Sequence, residues 1–381
     1  MQFIDLQKQY QQIKEEIDAN ISKVLNTSHY MMGTFVKELE KELADYVGTK
    51  YCVTCGNGTD ALQLALMAWN IGPGDAVFVP TFTFYSTAEV VSLLGATPIF
   101  VDIEQETFNM DTKKLEKAII EVKEYTRLTP KVVIPVDLFG QPAKYGEIRK
   151  IANQYNLYIL EDGAQGFGGT ICEKKACSFG DISTTSFFPA KPLGCYGDGG
   201  ALFTDDEKLY NLLCSLRIHG KGEFKYDNIR VGMNSRLDEI QAAVLIPKLK
   251  AFKNFELESR NKIADFYTEK LSEFVVTPSV LPNYKSSWAQ YTILLDSNEE
   301  REFILEKMSE YEIPTMVYYP KPLHKQTVYQ NYKFNVDDLN VSESVCKKCL
   351  SIPMHPYLEL EDINYIVDTL ILNLKEYRNG E

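Results

Sequence analysis

The 381-residue chain has no excess of positive charge: 40 Lys and Arg stand against 53 Asp and Glu, a net charge of −13. Nucleic acid and anionic membrane both select a basic footprint, so neither is expected as a partner, although a local basic group could still hold a small phosphorylated ligand. No apolar run approaches the length of a bilayer span. The segment Met1–Gln9 lacks the basic stretch and apolar core of a secretion signal, so a cytoplasmic location is expected. Internal repeats and low-complexity stretches are absent. The eight cysteines are scattered and, in a cytosol, are expected to be reduced. Two pairs, Cys52/Cys55 and Cys346/Cys349, have the C-x-x-C spacing and superficially suggest a four-thiolate zinc site. Cys52 and Cys55 end an apparent strand, however, where residues three apart point to opposite faces. The second pair lies far downstream, without a knuckle glycine. No metal is expected.

What is present is alternation. After amphipathic helices over 4–26 and 36–46, a strand over 51–55 runs into a glycine turn, Gly56-Asn57-Gly58-Thr59, and a helix over 59–69 with Thr59 as its expected cap. Strands over 77–79, 97–101, 132–136, 157–160, 182–187 and 201–203 then alternate with helices over 86–94, 112–121, 145–155 and 205–218. Apolar strands separated by helices predict a parallel or mixed sheet covered on both faces, with its ligand at the carboxyl ends of the strands. The pattern changes after Asn234. Long helices over 237–251 and 252–274, kinked or divided at Pro247, precede a strand over 289–295, a helix over 299–310, a short strand near 314–317 and a helix over 360–374. The expected fold is α/β: a large domain over 1–245 and a smaller α+β domain over 246–381.

Four features fall on strand ends of the large sheet. The glycine turn at Gly58 and Thr59 frees backbone N–H groups at a helix N-terminus, a cradle for phosphate. Asp162 follows a buried strand and precedes small residues. Lys191, with Ser186 five residues before it, lies in a turn bounded by Pro189, Pro192 and Gly194. Such surroundings exclude water and depress a lysine pKa, as a Schiff-base lysine requires. Asn234-Ser235-Arg236 is the fourth; Asn234 also reads as a helix cap. Taken alone, Lys191 reads more simply as a loop lysine in a tight turn. Acid, lysine and cradle together are what pyridoxal phosphate needs: an amine for its aldehyde, an acid for its pyridine nitrogen and a phosphate site.

At these residues the chain resembles the nucleotide-sugar aminotransferases of the DegT/StrS type, which have the aspartate-aminotransferase-like fold type I. The resemblance runs from Phe3-Ile4-Asp5-Leu6 through Asn57–Leu62, Gly72–Asp75, Asp162–Gln165, Ser186–Gly200 and Gly232…Arg236 to Tyr319-Pro320…His324. It implies a pyridoxal phosphate cofactor, passing through pyridoxamine phosphate, with Lys191 as the catalytic lysine and Asp162 on the pyridine nitrogen. Gln165 and Phe84 would pack on opposite ring faces, and Gly58, Thr59 and Ser186 would hold the phosphate, with Asp60 among the cofactor contacts. Asn234 would reach the phosphate of a neighbouring subunit, which makes the protein a homodimer with shared active sites. Tyr319, His324 and Arg236 would lie near the nucleotide sugar, and glutamate would be the amino donor. Two positions depart from the family pattern: Gly163, where many members have alanine, and Tyr318, where many have histidine. The form Pro192–Gly200 resembles the members that aminate carbon 3 of UDP-linked keto sugars, including 3-keto-hexuronates, in surface glycan or polysaccharide biosynthesis. Amination at carbon 4 of a UDP- or dTDP-4-keto-6-deoxy sugar, and a non-catalytic regulatory protein on the same fold, are the alternatives. The related iron–sulfur dehydratases replace the lysine with histidine, and Lys191 argues against them.

Overall fold

The computed structural model describes residues 1–330 and 339–380. Two helices, α1 (Leu6–Thr27) and α2 (Thr34–Val47), lead into β1 (Tyr51–Cys55) and α3 (Gly58–Ala68). The alternation continues with β2 (Asp75–Pro80), α4 (Ser86–Leu93), β3 (Thr97–Val101), α5 (Thr112–Tyr125), β4 (Thr129–Val133), α6 (Tyr145–Tyr155) and β5 (Tyr158–Asp162). Short strands β6 (Thr170–Ile171) and β7 (Lys174–Lys175) precede β8 (Ile182–Ser186), β9 (Gly200–Thr204) and α7 (Glu207–Leu216). The chain then runs through α8 (Glu239–Ala251), α9 (Leu257–Leu271), β10 (Tyr284–Lys285), β11 (Tyr291–Leu294), α10 (Asn298–Glu310), α11 (Asn340–Lys348), β12 (Cys349–Ile352) and α12 (Leu360–Asn379).

Seven strands form the main sheet in the order β1-β9-β8-β5-β4-β2-β3. The pairs from β8 to β3 are parallel, and β9 runs antiparallel to both its neighbours. The mixed, mostly parallel sheet is therefore as expected. Its strands are apolar throughout because both faces are covered. In β2, Val77 and Val79 pack into a core with α3, α4 and α7, while Ala76 and Phe78 pack into one with α5 and α6. The same two-residue period separates the first cysteine pair: Cys55 joins the α3 side and Cys52 the α2–α8 side. A further core draws on residues from Ile263 to Leu374 around the antiparallel pair β11–β12.

Three expectations change. The helix after the glycine turn is capped by Asn57, not Thr59: Asn57 Oδ1 accepts from the Asp60 N–H at 2.8 Å. No strand forms near 314–317, where Met316 makes only an isolated bridge to Ser351. Nor does Pro247 divide the long helix. It lies inside α8, and the break is a single π-helical turn at Phe252–Glu256. Proline removes the N–H that would bond the carbonyl four residues back. That carbonyl, Ala243 O, accepts instead from Asn20 Nδ2 on α1 at 3.3 Å.

The next residue after Pro247, Lys248, is buried, with its ammonium 4.9 Å from the Tyr196 ring and without a hydrogen-bond partner among the described residues. Burial depresses its pKa from 10.5 to about 8, partly countered by Glu256. Below pH 8 both folded and unfolded chains carry this proton, and the cost of burying it is felt in full. As pH rises from 8 to 10.5 only the folded chain has lost it, and the cost fades. Lys248→Met is therefore expected to stabilise the fold by about 2–3 kcal/mol near neutrality. The gain should shrink to nothing above the unfolded lysine's titration, as chemical denaturation across that range will show; a pH-independent difference would contradict the assignment.

Candidate active site

At the carboxyl ends of β5 and β8 and the N-terminus of α3 lies a cavity of about 580 Å³, a volume suited to a cofactor together with part of a substrate. Lys191, Asp162, Gln165, Phe84, Gly58, Thr59, Asp60, Ser186 and Tyr319 all line it. Arg236, Asn234 and His324 do not.

Asp162 is the last residue of β5, one step inside the strand rather than after it. Its Oδ2 accepts from Thr87 Oγ1 at 2.9 Å and its Oδ1 from the Ala164 N–H at 3.3 Å. Burial raises its pKa; those two donors and the Lys191 charge pull it back down. Lys191 keeps part of its surface open to the cavity but is otherwise enclosed by protein. That enclosure lowers its pKa, and the Asp162 carboxylate opposes the shift. The backbone turn behind it is fixed by the Lys191 N–H to Phe188 O (2.9 Å) and the Cys195 N–H to Phe187 O (2.8 Å).

The glycine turn expected to cradle phosphate is shaped by two close approaches. A Cβ at Gly58 would lie 2.7 Å from Ser186 Cβ, and one at Gly200 would lie 2.5 Å from Asn57 O. The two strand ends thus press against the first turn of α3, whose leading N–H groups have no intrahelical acceptor. Asp60 is engaged sideways: its Oδ2 accepts from Ser235 Oγ at 2.6 Å, and Ser235 Oγ accepts from the Gly56 N–H at 2.9 Å. Asp60 thereby fastens the 232–236 segment to the cradle.

Gln165 is held in one orientation. Its Oε1 accepts from the Phe139 N–H at 2.7 Å, and its Nε2 donates to the Tyr319 hydroxyl at 3.2 Å. Phe139 makes that bond at φ 58°, a left-handed conformation that a bulky residue adopts only under strain. Burial raises the Tyr319 pKa, so the phenol stays neutral. Phe84 flanks Tyr319 at 6.4 Å between ring centroids and is 53% exposed toward the cavity.

His324 is placed elsewhere. It is buried behind the cavity wall, with Nδ1 2.7 Å from Thr81 Oγ1 and Nε2 3.1 Å from Glu343. Burial lowers its pKa, and Glu343 opposes that. Asn234 is exposed and accepts from Arg236 at 2.6 Å; α8 starts four residues later than an Asn234 cap would place it, with Asp238 at the cap position and no side-chain capping bond. The Gly163 departure has a steric cause: a Cβ there would lie 2.7 Å from Cys177 Sγ and 2.9 Å from Thr184 O. Sequence reasoning missed Thr87, which braces Asp162, and Phe188, Asp198, Gln290 and Tyr318 as wall residues. The polar run Thr81–Thr87 after β2 was a readable signal for the first, and Phe188 and Asp198 flank Lys191 in its own stretch; Gln290 and Tyr318 come from segments that only tertiary packing assembles.

The residues present fit pyridoxal phosphate. A glycine cradle that a single Cβ would fill stands at one end, an anchored carboxylate at the other and a lysine of depressed pKa between them. Gly58→Ala is expected to weaken cofactor binding by about 1–3 kcal/mol, roughly fivefold to 150-fold, in a spectroscopic titration of the cofactor-free protein. Removing the carboxylate that props up the lysine should act oppositely on its proton. Asp162→Asn is expected to move the Lys191 titration to still lower pH, read from the pH dependence of acylation of that amine in cofactor-free protein. An unchanged midpoint would show the two groups to be uncoupled.

The family model of the DegT/DnrJ/EryC1/StrS aminotransferases matches residues 11–371. The UDP-2-acetamido-2-deoxy-3-oxo-D-glucuronate aminotransferase of Pseudomonas aeruginosa is 44% identical over 373 residues, 97% of this chain and 99% of that protein. The crystal structure of a DegT/DnrJ/EryC1/StrS aminotransferase from Brucella abortus superposes with a TM-score of 0.95 at 47% identity, covering 97% of this chain and 98% of that one. NtdA from Bacillus subtilis, solved with bound cofactor PMP, superposes with a TM-score of 0.87 at 31% identity over 98% of this chain and 83% of its own. With the fold, the lysine and the carboxylate in place, the chain belongs to the DegT/DnrJ/EryC1/StrS aminotransferase family.

Proposed function

We propose that this protein is a pyridoxal-phosphate-dependent aminotransferase that moves the amino group of glutamate to the C3 keto carbon of a UDP-linked sugar, in surface glycan or polysaccharide biosynthesis. The observation that carries the reading is the meeting of Lys191, Asp162 and the Gly58 cradle in one cavity. Bound there, the cofactor supplies an electron sink that acidifies the carbon bearing the donor's amino group. Lys191 Nζ takes and returns the proton at the reacting carbon, and its enclosure keeps the amine neutral over a wider pH range. Asp162, braced by Thr87 and Ala164, would hold a negative charge toward the pyridine nitrogen of a bound cofactor. Gln165, Tyr319 and Phe84 would wall its ring from solvent. Support for a UDP-linked 3-keto sugar comes from the Pro192–Gly200 stretch and from the name of the Pseudomonas relative.

We infer further that two subunits share each site. Glutamate and a nucleotide diphosphate bring several negative charges, yet Lys191 is the one cation among the described residues lining the cavity, beside Asp60, Asp162 and Asp198. The missing positive charge has a source in the 219–236 segment. It exposes Lys221, Lys225 and Arg230, together with Phe224, Tyr226, Ile229 and Val231. An apolar, basic projection of this kind suits insertion into a second copy, bringing Asn234 and Arg236 to the neighbouring cradle. Among the described residues no helix is long and apolar enough to cross a membrane, and all eight cysteines are free thiols. The thiols support the cytoplasm as the place of work.

Glutamate should convert the bound cofactor to its amine form with a change in its visible absorbance, and Lys191→Ala should abolish both this change and turnover. A panel of UDP- and dTDP-linked 3-keto and 4-keto sugars, with products identified by NMR, should show C3 amination of a UDP sugar. Preferential C4 turnover would overturn the positional assignment. Co-expression of Lys191→Ala with Asn234→Asp should restore activity that neither variant has alone, and failure to do so would refute the shared site.

A further inference from the structure

We propose that Asp137 is held as a neutral carboxylic acid whose Oδ2 proton is shared with Glu161, and that this buried acid pair is the positioning element behind Asp162. β5 carries Glu161 and Asp162 in succession, so the two side chains face opposite sides of the sheet. Asp162 turns to the cavity and Glu161 to the interior. The Glu161 carboxylate is saturated with donors. It accepts from the Cys177 N–H, from the Phe179 N–H at 2.6 Å, from the Gly180 N–H at 3.2 Å and from Ser183 Oγ at 2.7 Å. That set fits an ionised group.

Asp137, just after β4, is fully buried and asymmetric. Its Oδ1 accepts from the Ala143 N–H at 3.0 Å and from the Tyr145 hydroxyl at 2.8 Å. Its Oδ2 is buried with no donor in reach among the described residues, and the side chain lies against Glu161. Two carboxylate oxygens accept and cannot bond each other; one must carry a hydrogen. With every donor around Glu161 committed to that carboxylate, the hydrogen belongs on Asp137 Oδ2, which donates to Glu161. Burial and the Glu161 charge hold the Asp137 pKa well above the carboxylate range, in the same sense. The other titratable groups around Asp137 are Tyr145 on α6, Cys177 after β7 and Tyr284 on β10. Burial raises all three pKa values, which keeps these phenols and this thiol neutral; none can carry a compensating positive charge.

The link to the site is backbone. The Asp137 N–H donates to Asp162 O at 3.0 Å, and the Asp162 N–H donates to Pro135 O at 3.0 Å. On the other side, the turn that carries Gln165 rests on Asp137: a Cβ at Gly166 would lie 2.4 Å from Asp137 Cβ. The position of Asp137 therefore sets those of Asp162 and Gln165. Two charges in this pair would repel within a low-dielectric interior and pull the end of β5 from its register.

The decisive measurement is difference infrared spectroscopy of the holoenzyme and of the cofactor-free protein at neutral pH. A protonated-carboxyl carbonyl band should be present in the parent and lost in Asp137→Asn. A proton on Asp162 would survive that substitution, so only the lost band counts. Asparagine keeps a neutral donor facing Glu161, so Asp137→Asn should retain the parent's melting temperature and cofactor affinity. Asp137→Ala should lose both, with a fall of a few degrees and weaker cofactor binding. As pH rises from the ordinary carboxylate range, the parent should lose stability, because the folded chain holds this proton more tightly than the unfolded one. Asp137→Asn should not show that slope. Absence of a band that depends on Asp137, or an asparagine variant as impaired as the alanine one, would overturn the proposal. The cofactor-affinity arm rests on the role proposed for Asp162, whereas the infrared and pH arms do not, so failure of either reading is separable.

Discussion

The rest of the structure depends on keeping one lysine amine out of water beside one carboxylate. Enclosure drives Lys191 toward neutrality and Asp162 toward protonation, while their proximity drives each back toward charge. A pair balanced in this way needs rigid walls, since a small displacement changes both terms. The parallel strands supply the rigidity. β5 and β8 end side by side, paired from Leu160 and Ile182 through Asp162 and Thr184. The lysine follows β8 through a turn held by the Lys191 N–H to Phe188 O, the Cys195 N–H to Phe187 O and the Phe187 N–H to Gly199 O.

The sheet is what sequence reading recovered best. Two-sided burial leaves near-continuous apolar runs in strands such as β2 and β3, and these stand out between amphipathic helices. Boundaries were less legible where pairing rather than composition decides them. β5 continues through Glu161 and Asp162, two acids that no hydrophobic pattern would include, because their backbone groups still pair with β8. The small three-stranded sheet of β10, β6 and β7 was invisible, since each strand has two residues and no periodicity.

The site divides similarly. Lys191, Asp162, Gly58 and Ser186 were readable because each sits at a strand end or turn whose local chemistry is unusual. Gln290 and Tyr318 come from loops that share the cavity only after folding. His324, which the resemblance set near the nucleotide sugar, lies outside the cavity lining, with Thr81 and Glu343 at its two ring nitrogens. The division expected at Pro247 failed for a related reason. The loss of one N–H inside α8 is compensated by an Asn20 donor on a helix more than 200 positions away, and no local reading of the sequence contains that partner.

Gly163 and Cys177 occupy what is, in effect, a single volume. The sulfur of one fills the space that a methyl group on the other would need, and Thr184 O closes the remaining side. Neither position is free to change alone: an alanine at 163 calls for a smaller neighbour at 177, and a larger residue at 177 has nowhere to go. Because Gly163 adjoins Asp162, and Cys177 donates its N–H to Glu161, that exchange of volume is coupled to the alignment of both acids on β5.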